Sequence, residues 1–164
     1  FYLDVGYSLK EIAAVAKFFS SFATILGVLV AGVIVAKLRA LRSLAVGIVL
    51  TIVSNLAFMT LSFIQQPGTA ALAIVVSCDN FAMAIAGTAF MAYLSSLTST
   101  AYTATQYALF SSLYALPGKI LMGLSGAFVD HFGYPMFFIY TSALSIPAAL
   151  MIIWLWRIAP AGLG

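Results

Sequence analysis

Apolar residues run along this chain in five long stretches, each closed by a few polar positions. The stretches extend from about Leu9 to Val35, Ser43 to Ile64, Thr69 to Leu97, Tyr102 to Phe128 and Met136 to Trp156. At ~1.5 Å rise per residue, each is long enough as a helix to cross a hydrocarbon core of ~30 Å. Membrane strands would need alternating segments of about ten residues, whereas these runs are continuous and rich in Ala, Leu and Ile. The pattern predicts an all-α integral membrane protein with five transmembrane helices.

The predicted connections are short. Lys37-Leu38-Arg39-Ala40-Leu41-Arg42 joins the first and second runs, and Gln65-Gln66-Pro67-Gly68 is a Pro-Gly turn. Thr98-Ser99-Thr100-Ala101 offers helix caps, and Asp130-His131-Phe132-Gly133-Tyr134-Pro135 closes the fourth run. None leaves room for a soluble domain.

Composition narrows the class. Of 164 residues, 64% are hydrophobic and 7% charged, and mean hydropathy is +1.15. A soluble domain carries roughly 25% charged residues, and disorder needs the opposite balance to this one. The first residue is Phe1 rather than Met, which points to a piece of a larger polytopic protein. One cysteine, Cys78, gives neither an intrachain disulfide nor a cysteine metal cage. The few scattered basic residues make no nucleic-acid patch. His131 stands alone in a predicted outer loop, and no metal-ligand cluster, phosphate-cradling loop or buried Ser-His-Asp set is present in the sequence. The expectation is therefore a non-enzyme without cofactor or metal.

The charges also predict orientation. Lys37, Arg39, Arg42 and Arg157 fall on one side with no acidic residue, while Asp4, Lys10, Glu11, Asp130 and His131 fall on the other. Basic residues favour the cytoplasm, so the C-terminus is expected inside. Trp154 and Trp156 would lie in the interfacial aromatic belt or face lipid as bulk.

Three charges remain inside the runs: Lys17, Asp79 and Lys119. Each is nine or ten residues from the outer end of its run, which places all three about 13–15 Å deep. An ionised group at mid-bilayer costs at least ~2.5–3.5 kcal/mol, so it is usually paired, hydrated or functional. The set reads either as a structural ion pair or as a substrate or proton site. Asp79 would exchange a proton while Lys17 or Lys119 meets an anionic group. Lys17, Ser20, Ser21, Thr24 and Gly27 form a polar stripe, a cavity wall or a tight helix contact. Asn55 and Asn80 are amides in apolar runs, suited to interhelical hydrogen bonds. Gln106, Tyr107, Phe110 and Tyr114 put polar and aromatic groups in the cytoplasmic half of the fourth run, as a stacking surface for sugar rings or as a packed ridge. Pro117-Gly118 and Pro147 are candidate kinks or hinges. Gly27, Gly32, Gly87, Gly123 and Gly126 would permit close helix approach.

Several of these residues form a familiar series. Asp79-Asn80-Phe81, the run Gly87-Thr88-Ala89-Phe90-Met91-Ala92-Tyr93-Leu94 and the run Thr103-Ala104-Thr105-Gln106-Tyr107-Ala108-Leu109 are followed by Pro117-Gly118-Lys119, Ser125-Gly126, Asp130, Gly133-Tyr134-Pro135 and Phe137-Phe138. Upstream stand Gly6-Tyr7-Ser8, Glu11-Ile12, Lys17, Thr24-Ile25-Leu26-Gly27 and Ser54-Asn55-Leu56. The series resembles the AmpG-type muropeptide permeases of the major facilitator superfamily and covers nearly the whole chain. The resemblance implies a partial C-terminal transmembrane domain, helices eight to twelve of a transporter of twelve or slightly more. It further implies proton-coupled import of anhydromuropeptides across the bacterial inner membrane for peptidoglycan recycling, with the N-terminal half of the transporter and the lipid bilayer as partners. Lys17, Asp79, Asn80, Gln106 and Lys119 match positions where the family pattern carries like residues. Lys119 stands where relatives often carry arginine, and a lysine holds a carboxylate less rigidly. A related carrier of another anionic solute, such as acetyl-CoA or a siderophore, and a non-transport membrane protein are the alternatives.

Overall fold

The computed structural model describes residues 1–64, 67–97 and 103–158, and these are helical almost throughout. Gln65 and Gln66 of the expected Pro-Gly turn, the expected Thr98–Ala101 loop, and Tyr102 lie outside the described residues. Helix α1 covers Leu9–Ala14 and runs through one π-helical stretch, Val15–Ser20, into α2, Ser21–Phe63. Helix α3 is Thr69–Leu97 and α4 is Thr103–Ile158. The start is fixed by a capping box. The Glu11 amide donates to the Ser8 hydroxyl, and the Ser8 amide donates to the Glu11 carboxylate.

Three helical stretches are long and apolar enough to cross a membrane: Leu9–Phe63, Thr69–Leu97 and Ala104–Ile158. The five-helix expectation is corrected here, because residues 37–42 and 130–135 are not loops. Helix continues on both sides of one non-helical residue in each, Arg39 (φ 64°, ψ 168°) and Gly133 (φ 76°, ψ 168°). In apolar sequence a helix satisfies its own backbone groups, which favours a turn reduced to one residue. The Ser43 hydroxyl donates to the Arg39 carbonyl at 2.6 Å.

Contacts show that the chain reverses at both residues. Gly27 and Gly47 would lie about 30 Å apart on a straight helix. Both press on one short segment of α3. A Cβ on Gly27 would meet Ala84 Cβ at 2.8 Å and the Phe81 carbonyl oxygen at 2.9 Å, and one on Gly47 would meet Ala86 Cα at 2.7 Å. The arm before Arg39 therefore runs parallel to α3, with Thr24 beside Asn80, and the arm after it runs antiparallel, with Ser54 beside Asp79. At Gly133, the Phe128 and Tyr140 rings stack at 4.9 Å across the break. Pro135 then sits in the first turn of the second arm, where its missing N–H removes nothing.

The same contacts sort the ends. Asp4 accepts from the Tyr134 hydroxyl at 2.5 Å, Glu11 from the Thr69 hydroxyl at 2.5 Å, and the Gly68 carbonyl from the Tyr7 hydroxyl at 3.4 Å. One end thus gathers the chain start, the beginning of α3 and the Gly133 reversal. Tyr134 holds the Asp4 carboxyl below the usual carboxylate range. The core concentrates at this end, in Tyr7, Val15, Phe58, Leu61, Leu72, Val76 and Phe138. Phe1 lies edge-on to Tyr134 and Phe138 at 4.9 and 5.3 Å.

Close approach falls on different glycines from those expected. Gly27 makes it, but Gly32, Gly87, Gly123 and Gly126 have nothing within 4 Å of a built Cβ, because they face away from their neighbours. Gly47 takes that role instead. The first arm of α4, residues 103–132, contains no buried residue among those described. Helical backbone also runs through the expected hinge Pro117-Gly118 and through Pro147, and the only non-helical residue described within α4 is Gly133.

Two predictions follow from this packing. Gly47→Leu should destabilise the protein by about 1–3 kcal/mol in detergent unfolding, through overpacking against the α3 backbone. Gly32→Ala should change stability by no more than about 0.5 kcal/mol. Gly133→Ala should cost about 1–3 kcal/mol, since its backbone conformation is nearly confined to glycine. Equal effects at Gly47 and Gly32, or no loss at Gly133, would contradict the packing described.

Candidate functional site

The two arms of α2 bring polar side chains onto adjacent faces of α3. Asp79 and Ala86, seven residues apart, face the second arm, while Asn80 and Ala84, four apart, face the first. The buried Ser54 hydroxyl donates to the Asp79 carboxylate at 2.5 Å. The Thr24 hydroxyl donates to the Ser20 carbonyl at 2.8 Å, and its oxygen lies 3.5 Å from the Asn80 side-chain oxygen. The Asn80 amide nitrogen in turn donates to the Val76 carbonyl at 2.8 Å. Burial first, and then Asp79, pushes the Tyr2 phenol above its ordinary range. The cluster therefore holds one half-buried carboxylate on a buried serine, beside an amide that bridges to the first arm.

The lysines do not join it. Among the described residues no ion pair links Asp79 to Lys17 or Lys119. Lys17 is exposed in the π-helical stretch, with its ammonium 5.6 Å from the centre of the Phe18 ring. Lys119 is exposed on the first arm of α4, in an open groove of about 360 Å³ with Ser111, Ser112 and Leu116. Equal depth along three helices did not produce convergence, because rotation about each helix axis decides where a side chain points, and depth says nothing about it.

Two aromatic residues of the first arm of α4 lie against α3. Tyr107 donates to Met91 Sδ at 2.5 Å, and the Tyr114 ring lies 4.2 Å from Phe90. Gln106, one residue before Tyr107, is half-buried. Tyr114 and Phe90 also line an apolar cavity of about 330 Å³ with Ile48, Tyr93 and Met151. His131, expected in a loop, lies on helix with its ring nitrogen 2.9 Å from the Ala127 carbonyl.

Ser54 is a functional candidate that the polar pattern did not single out as a partner of Asp79. For Ser54 a signal was present. Ser43, Gly47, Ser54, Phe58 and Leu61 are the buried positions of the second arm together with Leu41, and small residues at such spacing mark the face toward another helix.

A double-mutant cycle checks the pair. Ser54→Ala should destabilise the protein in detergent more in the wild-type background than in Asp79→Asn, with a coupling of ~0.6–1.7 kcal/mol, as for hydrogen bonds between membrane helices. Equal losses in both backgrounds would show that the hydrogen bond carries no coupling energy.

No family model matches the chain. Similarity to individual proteins is extensive. "Putative transporter AmpG 4" of Rickettsia felis is 34% identical over 155 residues, which cover 94% of this chain and 37% of that protein. "Putative transporter AmpG 1" of Rickettsia prowazekii is 31% identical over 153 residues, 93% of this chain and 34% of that protein. "Putative transporter AmpG 2" of the same organism is 33% identical over 156 residues, 94% and 38% respectively. The chain thus spans a little over a third of the length of the curated relatives it matches. Over nearly all of its residues, borne on long apolar helices, this chain is similar to proteins that carry the AmpG transporter name.

Proposed function

We propose that this chain forms the C-terminal part of a proton-coupled secondary transporter that imports anhydromuropeptides across the bacterial inner membrane. The observation that carries the reading is Asp79, a carboxylate held by Ser54 between helices at mid-length, in a chain aligned with transporters named AmpG. A carboxylate at that depth is expensive to keep unless it is used, and among the described residues no ion pair neutralises it. Asp79 is the proton-exchanging group in this proposal, and Asn80 couples its movement to the first arm through Thr24.

The basic end lies in the cytoplasm, by the rule that Lys and Arg favour that side. Lys119, with Ser111 and Ser112 beside it, offers a cation and hydroxyls suited to the carboxylates and sugar hydroxyls of a muropeptide. The first arm of α4 faces the missing N-terminal half, and the substrate passes between the two halves.

The test is uptake of labelled anhydromuropeptide by the complete protein in a strain without its own permease. Uptake driven by an inward proton gradient is expected. Asp79→Asn should reduce it to the level of the empty strain, and Lys119→Gln should weaken it. No uptake by the wild type despite confirmed membrane insertion would defeat the substrate assignment. Full gradient-driven uptake by Asp79→Asn would defeat the proton role.

A further inference from the structure

The end of the bundle opposite Asp4 carries a second feature that transport does not explain. The second arm of α2 begins beside the reversal at Arg39 with Arg42, and the last turn of α4 brings Trp156 to the same groove. An open groove of about 370 Å³ descends from there, lined by Leu38, Arg42, Val46, Val49, Leu50 and Trp156. Apart from Arg42 and the indole of Trp156, this lining is aliphatic. Arg42, Val46, Val49 and Leu50 follow helical spacing down one face, so the charge stands at the mouth and the apolar surface runs about 12 Å along the helix below it.

Charge complementarity identifies the occupant. The chain has four acidic residues. Asp4 is tied to Tyr134 and Glu11 to Thr69 at the far end, Asp130 lies one turn from Gly133, and Asp79 is bound to Ser54 at mid-length. None stands near the groove. Arg42 is exposed and makes no ion pair among the described residues, and Lys37 and Arg157 are exposed at the same end. A groove with a guanidinium at its rim, an apolar floor and an indole at interfacial depth matches an amphiphile with an anionic head. Basic pockets between membrane helices on the cytoplasmic side bind such headgroups, and an arginine fork grips a phosphate oxygen pair.

We propose that this groove is a binding site for one anionic phospholipid, its phosphate on Arg42 and an acyl chain laid along Val46, Val49 and Leu50 against Trp156. The site is separate from the Asp79 cluster, and it stands whether or not the transported solute is a muropeptide.

The experiment equilibrates the complete protein in detergent with equal amounts of phosphatidylglycerol and phosphatidylcholine of identical acyl chains. Native mass spectrometry then counts the lipids retained. Wild type should retain phosphatidylglycerol in excess. Arg42→Gln should reduce that excess about fivefold, the effect of one basic side chain at a membrane surface. Arg42→Lys should keep most of it, which separates charge from folding. Val46→Trp, which fills the groove and leaves the charge, should also release the lipid. Lys10→Gln, at the opposite end, should leave retention unchanged. Equal retention of the two lipids by wild type would overturn the proposal. So would equal losses in Arg42→Gln and Lys10→Gln, which would mean diffuse attraction, or full retention by Val46→Trp, which would mean that the groove takes no chain.

Discussion

The arrangement rests on the approach of two glycines to one helix. Gly27 and Gly47 leave no space for a methyl group against the Phe81–Ala86 segment of α3. Lipid tails are as apolar as leucine, so burying hydrocarbon gives membrane helices little reason to associate, and close backbone packing does much of the work. Both glycines can reach the same segment only because the chain reverses at Arg39. That reversal requires a left-handed φ with an extended ψ, which a non-glycine residue adopts at a cost of about 1–3 kcal/mol. Packing on both faces of α3 is what offsets this strain.

The polar cluster is a consequence of the same clamp. Once the two arms are pinned to α3 at Ala84 and Ala86, Ser54 falls opposite Asp79, and Thr24 opposite Asn80, one to two turns further along. A charge on α3 is thereby supplied with a hydroxyl from one arm, while its neighbour is tied to the other. Any tilt of one arm relative to α3 changes the environment of the carboxylate.

The bundle is unevenly covered. The core lies at the end where the chain start, the head of α3 and the Gly133 reversal meet, with aromatic rings from Phe1, Phe58, Tyr134 and Phe138 packed together. The first arm of α4 touches α3 chiefly through Tyr107 and Tyr114 and buries none of its described residues. In water such exposed leucines and isoleucines would be a liability. In a bilayer, exposed apolar surface is the ordinary condition of a helix facing lipid.

The sequence by itself determined the class of structure. Long apolar runs with few charges admit only helices in lipid, since a helix satisfies its own backbone. The runs also marked the stretches that carry Asp79, Asn80 and Lys119, and placed the basic residues at one end. Position along a helix axis follows from counting residues, so how far along its helix each polar group falls was legible. Rotation and partnership were not. Lys17 lies over Phe18 and Lys119 lies on the uncovered arm, although both share a depth with Asp79. Ser54 rather than a lysine became the partner of that carboxylate, and single residues replaced two expected loops. Those outcomes depend on how faces of different helices meet, a matter of long-range packing at Gly27, Gly47 and Gly133 that no local pattern of hydrophobic and polar positions contains.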